Sequence, residues 1–238
     1  MPEEPSATEV FREVTAVGPY FAVEAAVGPG RPTGFRPLGE LYDGGPEGFL
    51  AERIATVSAR LGTAESRVAA SISQLGLAAR LWSVTLGAAV LTGTVPDLAP
   101  DRAYWHHPPH GMLELRLPAP VRTADLAGAL RDGVVTGALA PLATAVRAAT
   151  PTPVSERLLR GNAASALVGA VRQLAAHRPD AGRTAWSLAG ELLGHAPLAG
   201  TGTLHQTSFR RSTCCLYYRL PNGGLCGDCV FRTPPARP

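Results

Sequence analysis

The chain has 238 residues, of which 45% are hydrophobic and 17% charged, a composition that fits a globular protein of one or two domains with a full core. Its 26 glycines and 22 prolines are too few to signal disorder, and a net charge of +3, spread evenly, argues against nucleic acid as a partner. All 22 basic residues are arginine, so no lysine is available for a Schiff base or a Walker-type phosphate loop.

Residues 1–8 read as a flexible tail, and the acidic start MPEEPSATEV has no apolar stretch of the kind a secretory signal carries. Residues 9–27 suit helix or strand, and the Gly/Pro-rich stretch 28–46 must be loop. Pro46 can open a helix whose buried stripe is Leu50, Ile54, Val57 and Leu61, ended by Gly62. Thr63 can cap the next helix, with Val68, Ile72, Leu75, Ala79, Trp82 and Leu86 along one face. The apolar region 68–91 is interrupted by Gln74 and Arg80 and lacks the ~20 uninterrupted apolar residues of a membrane span, so no transmembrane segment is expected. Prolines break the pattern over 93–110, and the alternation from Met112 to Pro118 predicts a strand.

Thr123 can cap a helix carrying Leu126, Leu130, Val134, Leu139 and Leu142, kinked or split at Pro141. Thr152-Pro153 is a start signal for a helix with Leu159, Ala163, Leu167, Val171 and Leu174 on one face, ending before Pro179. Thr184 to Leu193 reads as a short helix closed by Gly194. The fold class is therefore mainly α, strictly α+β with a minor β element. A helical body over 9–206 carries a Cys-rich C-terminal segment over 207–232, followed by a flexible tail over 233–238.

All four cysteines fall in that segment: Cys214-Cys215, ten residues, Cys226, two residues, Cys229. With no secretory signal, a cytoplasmic protein is expected, where clustered thiols bind metal or do redox chemistry more often than they form stable disulfides. Four thiolates suit a [2Fe–2S] cluster, a structural zinc ion or redox thiols. Zinc sites favour two C-x₂₋₄-C pairs, and adjacent cysteines diverge, which suits one tetrahedral ion less well than a two-iron cluster. Gly227, between Cys226 and Cys229, would let the backbone turn so that its N–H approaches a sulfur, and Gly223-Gly224 would let the connecting loop return.

The pattern C-C-x₁₀-C-x₂-C near the C-terminus, preceded by Arg210-Arg211, resembles the signature of the FhuF-type ferric-siderophore reductases. A weaker resemblance extends over 150–232 and includes Gly161-Asn162 followed by small residues, with Arg160 where that family often has Trp. The resemblance implies a [2Fe–2S] cluster held by Cys214, Cys215, Cys226 and Cys229. It implies an oxidoreductase of iron acquisition that passes one electron to Fe(III) in a siderophore, of hydroxamate type, and releases Fe(II) in the cytosol. The body would hold the siderophore. With no dinucleotide fingerprint, the donor would be an external carrier, a ferredoxin or a flavin reductase, and peripheral association with the inner membrane face is compatible. The alternatives are a [2Fe–2S] electron carrier and a zinc-stapled interaction module.

Arg210 and Arg211 would place positive charge beside the cluster, or pair with Asp228; Tyr217 would cover it or simply pack. Trp105-His106-His107-Pro108-Pro109-His110 reads as an extended exposed loop rather than a metal site. Gly200-Thr201-Gly202 is half of a dinucleotide fingerprint and has neither the third glycine nor a clear following helix. His177, His195 and His205 are scattered and assemble no triad.

Overall fold

The computed structural model describes residues 5–26, 28, 30–108 and 111–236. It is mainly helical, as its periodic stripes predict, and it is organised around one helix, α3 (Ser66–Thr92). Buried residues lie all around this helix, from Val68 to Ala89, so it is a core helix rather than an amphipathic surface one. By length and hydropathy α3 could cross a bilayer, but 67% of its most apolar window is buried inside the protein.

Helix α1 (Ala7–Thr15) resolves the ambiguity over residues 9–27 and starts inside the expected tail. Ser6 and Glu9 form a reciprocal capping box, which satisfies two orphan N–H groups and stops the helix fraying. Val10, Phe11 and Val14 pack its inner face into the core. Helix α2 (Phe49–Leu61) begins three residues after Pro46, with Gly48 at its cap, and ends at Gly62 in the left-handed conformation that glycine favours. Thr63 does not cap α3; its hydroxyl accepts from the Glu65 N–H at 3.2 Å, and Glu65 is the cap residue.

The segment after residue 123 stays helical across Pro141, with a change of hydrogen-bond register. Helix α4 (Leu126–Leu130) passes into a π-helical stretch, Arg131–Leu139, and then into α5 (Ala140–Ala148). Pro141 falls in the first turn of α5, where a missing N–H costs little. Asp125, not Thr123, caps α4 by accepting from the Gly128 N–H at 2.8 Å. Helix α6 (Glu156–His177) lies along α3, and α7 (Pro179–Gly194) starts five residues earlier than the pattern indicates, because Pro179 opens the helix instead of marking a break.

The β content is small. Strands β1 (Glu24–Ala25), β2 (Arg36–Pro37), β4 (Tyr104–His106) and β5 (Glu114–Leu117) form a sheet in the order β1-β5-β4-β2. The β1–β5 pair is parallel, with Glu24 opposite Arg116; the other two pairs are antiparallel. Strand β5 lies within the expected Met112–Pro118 strand. Trp105 and His106 are in β4 and Trp105 is 2% exposed, which corrects the exposed-loop reading there; Pro109 and His110 lie outside the described residues. Strands β3 (Thr94–Val95) and β6 (Val121–Arg122) pair by themselves, and β7 (Gly202–His205) and β8 (Ser208–Arg211) form a hairpin that leads into the cysteines. Gly202 thus opens a strand, not a phosphate-binding turn; a Cβ there would lie 2.5 Å from the Arg210 carbonyl oxygen.

Arg80, one of the two polar breaks in the apolar region, is 3% exposed and serves as a clamp. Its guanidinium donates to the carbonyls of Leu113 (2.8 Å), Tyr20 (2.7 Å) and Ala22, joining α3 to the sheet and to the turn after α1. Burial pulls its pKa down to about 10, so it remains charged at neutral pH and the three carbonyls keep a charged donor. Arg80→Met is expected to lower stability by on the order of 3 kcal/mol, through lost charged hydrogen bonds and stranded carbonyls. Guanidinium unfolding would show a lower midpoint at unchanged slope; an unchanged midpoint would contradict the clamp.

Candidate metal centre

The β7–β8 hairpin sets where the cysteine segment starts. Just beyond β8, Ser212 donates from its N–H to the Thr201 carbonyl and from its hydroxyl to the Gly200 carbonyl, both at 2.8 Å. Arg211 turns inward and is 2% exposed. Its Nη2 donates to Asn162 Oδ1 at 2.7 Å and reaches the Leu158 carbonyl at 3.5 Å. Asn162 in turn donates to the carbonyl and hydroxyl of Ser71, at 3.0 and 3.1 Å, and Ser71 donates to the Cys215 carbonyl at 2.8 Å. One buried chain of polar contacts therefore runs Arg211–Asn162–Ser71–Cys215, tying the segment to α6 and α3.

Gly161, next to Asn162, allows this close approach. A Cβ at Gly161 would lie 2.2 Å from Thr213 Oγ1 and 3.1 Å from Arg211 Nη2. The Gly-Asn pair singled out in the sequence thus has two separate jobs: the glycine clears space for the cysteine segment, and the asparagine fastens it.

All four cysteines are free thiols; Cys215 is buried, and Cys214, Cys226 and Cys229 are partly exposed. Cys215 sits between Cys214 and Cys226 and couples to both, while Cys229 lies within electrostatic range of Cys214. Backbone N–H groups face the sulfurs: Leu216 donates to Cys214 Sγ at 3.2 Å, and the N–H groups of Tyr217 and Asp228 lie near Cys215 and Cys226, where they favour the ionised thiol. Leu216 adopts a left-handed conformation (φ 69°), uncommon for a branched side chain, and this turn brings its N–H onto the sulfur two residues back.

The thiols do not share protons equally. Contact with Cys215, then the Leu216 N–H and the Arg211 charge, brings Cys214 down to about 7. Cys226 is pushed up, first by Cys215 and then by burial, and Cys215 is pushed up chiefly by Cys214. Like charges in one small patch cannot all ionise unless a cation accepts them. Arg211 supplies one positive charge beneath the thiols, and its Nε has no partner. Among the described residues, no three His, Cys, Asp or Glu side chains close around a point suited to one ion. Cys215 in contact with both Cys214 and Cys226, Cys229 nearby, an N–H donor on a sulfur and a buried cation beside them form a spread of thiols that fits a cluster with two irons better than a single zinc.

The other residues expected at the site are placed as follows. Arg210 is exposed and donates to the Val230 carbonyl at 2.8 Å. Neither arginine pairs with the Asp228 carboxylate; Arg172 does, at 2.6 Å, while the Arg211 N–H donates to the Asp228 carbonyl. Tyr217 is 36% exposed at the edge of the segment, and its backbone, not its ring, serves Cys215. Gly227 is exposed with open space where a Cβ would go, and the N–H that reaches Cys226 belongs to Asp228. Gly223 is the glycine the loop requires, since a Cβ there would meet the Tyr217 carbonyl at 2.1 Å. Arg219 anchors the far side through a two-pronged contact with Glu65 at 2.9 Å.

Sequence reasoning missed Ser71, Gln74, Thr213 and Arg172. The available signal was the polar pair Ser71 and Gln74, three residues apart on a mostly apolar helix. Gln74 is 1% exposed, and its Oε1 has no partner. It lines a cavity of about 240 Å³ together with Leu139, Leu159, Ala163 and Leu198. Gln74 is one turn from Ser71, about 4.5 Å along the helix axis, which places this cavity a helical turn from the Ser71–Cys215 contact.

Residues 211–231 match the family model described as the FhuF 2Fe-2S C-terminal domain. No curated protein matches the chain. The C-terminal segment thus matches a domain described as binding a [2Fe–2S] cluster, the cofactor that its four cysteines suit.

Gly161→Ala is expected to reduce iron content and visible absorbance per chain by pushing on Thr213. The double variant Gly161→Ala/Thr213→Ala should restore both, and failure of that rescue would show that the clash is not with Thr213. Arg211→Met removes a positive charge that acts on Cys214, Cys215 and Cys226 and should make the reduction potential more negative by on the order of 100 mV, for an effective dielectric near ~20. An unchanged potential in a fully loaded variant would contradict an electrostatic role for Arg211.

Proposed function

We propose that Cys214, Cys215, Cys226 and Cys229 hold the cluster and that the protein reduces ferric siderophores in the cytoplasm. When bound, the cluster supplies electrons one at a time. Siderophores grip Fe(III) through hard anionic oxygens, which hold Fe(II) much less tightly. Transfer of one electron to Fe(III) thus turns a locked complex into Fe(II) and a free ligand, with no covalent step at the protein.

The observation that carries this reading is the exposure of the thiol segment. Three of the four cysteines reach the surface, rimmed by the exposed side chains of Tyr217 and Leu225, so a bulky external complex can approach the sulfurs. Arg211 and the N–H donors of Leu216, Tyr217 and Asp228 offset the charge that arrives with an added electron. The cavity beside Gln74 is smaller than the ~300–1,000 Å³ of a drug-sized site. It suits one arm of a hydroxamate siderophore while the iron stays at the surface. The donor would be a separate carrier, a ferredoxin or a flavin reductase, docking on the same exposed rim. An electron-carrier role would use that rim without the cavity, and the cavity favours the reductase.

Stopped-flow mixing of the reduced holoprotein with a ferric trihydroxamate should show re-oxidation whose rate rises with complex concentration, with Fe(II) trapped by a ferrous chelator. Re-oxidation no faster than in buffer, alongside rapid exchange with a carrier protein, would replace the reductase reading with the carrier one.

A further inference from the structure

A second cleft, of about 460 Å³, shares no residue with the cysteine segment. It is walled by Phe49, Glu52, Arg53 and Arg60 of α2 and by Arg36 and His107 from the side of the sheet. Three guanidinium groups thus face one carboxylate, that of Glu52. Arg36 is already neutralised by Glu40 at 2.5 Å. Arg53 and Arg60 form no ion pair among the described residues.

Arg53 is the unusual group. It is half-buried, its Nε is buried without a partner, and a Cβ on Gly76 of α3 would lie 3.8 Å from its Nη2, so the core helix backs the guanidinium. Its Nη1 lies 2.8 Å from His107 Nε2. That contact requires a neutral imidazole accepting at Nε2, and burial followed by the nearby Arg53 charge holds His107 below its usual range. The histidine therefore orients the arginine without compensating its charge. Burial and then Arg60 lower the Arg53 pKa as well, and among the described residues no carboxylate, Glu52 included, pairs with this cation. A methionine would pack at such a position at lower cost, which marks the arginine as a candidate for binding.

The walls also show what accompanies the charge. Phe49 packs on Trp105 with ring centroids 4.4 Å apart and on His107 at 5.5 Å, which places an aromatic layer beside the guanidinium. A cleft of this volume is much larger than an inorganic anion needs and falls in the ~300–1,000 Å³ range of small organic ligands. Arginine pairs carboxylates through two parallel hydrogen bonds, and a flat ring can stack on Phe49.

We propose that this cleft binds a small aromatic carboxylate, with the carboxylate on Arg53 and Arg60 and the ring against Phe49. Titration calorimetry of the cluster-loaded protein with salicylate, inorganic phosphate and phenol tests it. Salicylate is expected to bind one per chain and to quench fluorescence from Trp105, with phosphate and phenol each at least tenfold weaker. Arg53→Met should weaken salicylate binding about tenfold or more, as expected for a lost charged hydrogen-bond pair. Its visible spectrum and melting temperature show whether the variant is folded. Arg60→Met, at an exposed position, gives a second reading that does not depend on the buried site, with an expected loss of a few-fold and a shallower salt dependence. Absence of saturable salicylate binding, equal affinity in the Arg53 and Arg60 variants, or phosphate binding as tight as salicylate would each overturn the proposal.

Discussion

A buried guanidinium bonded to a buried amide holds this structure's functional end in place. Among the described residues Arg211 has no carboxylate in contact; its side chain rests on Asn162 and a helix carbonyl. A charge taken out of water in this way costs several kcal/mol unless an opposite charge lies close by. Here the nearby thiols can supply the opposite charge once a metal centre holds them ionised. The cysteine segment and the helical body therefore depend on each other: the body fixes Arg211, and Arg211 makes a concentration of sulfur anions tolerable. Removing either side leaves the other in an unfavourable state.

The body is built to receive that segment. α3 carries Ser71 among apolar neighbours, α6 carries Gly161 and Asn162 where the two helices meet, and the β7–β8 hairpin brings Arg211 to them. None of these residues is chemically reactive. Their combined effect is to convert a loop of sixteen residues from Cys214 to Cys229 into a seat with N–H groups facing its sulfurs. The surface position of three thiols follows from the same arrangement, because only Cys215 is drawn down by Ser71. One buried and three accessible sulfurs suit a centre that must be held firmly and still exchange electrons with something outside.

Much of the helical frame was legible in the sequence, because periodic leucine and alanine stripes depend only on neighbours a turn away. Gly62 as a helix end was also readable from local pattern, whereas Gly161-Asn162 stood out only through a family resemblance. The cysteine spacing pointed to the segment that the family model matches, because four thiols in one short window have few other uses. What could not be read depends on contacts between distant residues. Ser71 and Cys215 are 144 positions apart, and Arg53 and His107 are 54 apart. Arg80 looked like an interruption in an apolar run, and only the fold shows it buried on three carbonyls. Strands β1 and β2, of two residues each, are too short to leave a period. Pro179 is ambiguous by nature, since proline both ends and begins helices, and the structure shows that here it begins one.

The central claim is that these four thiols jointly bind two irons bridged by sulfide. Iron, zinc and acid-labile sulfide determined on protein isolated without oxygen, together with Mössbauer spectra, test it most directly. Two irons and two sulfides per chain in tetrahedral sulfur sites, with both lost in Cys215→Ser, are the expected result. A colourless protein holding one zinc per chain, or cysteines isolated as stable disulfides, would contradict it.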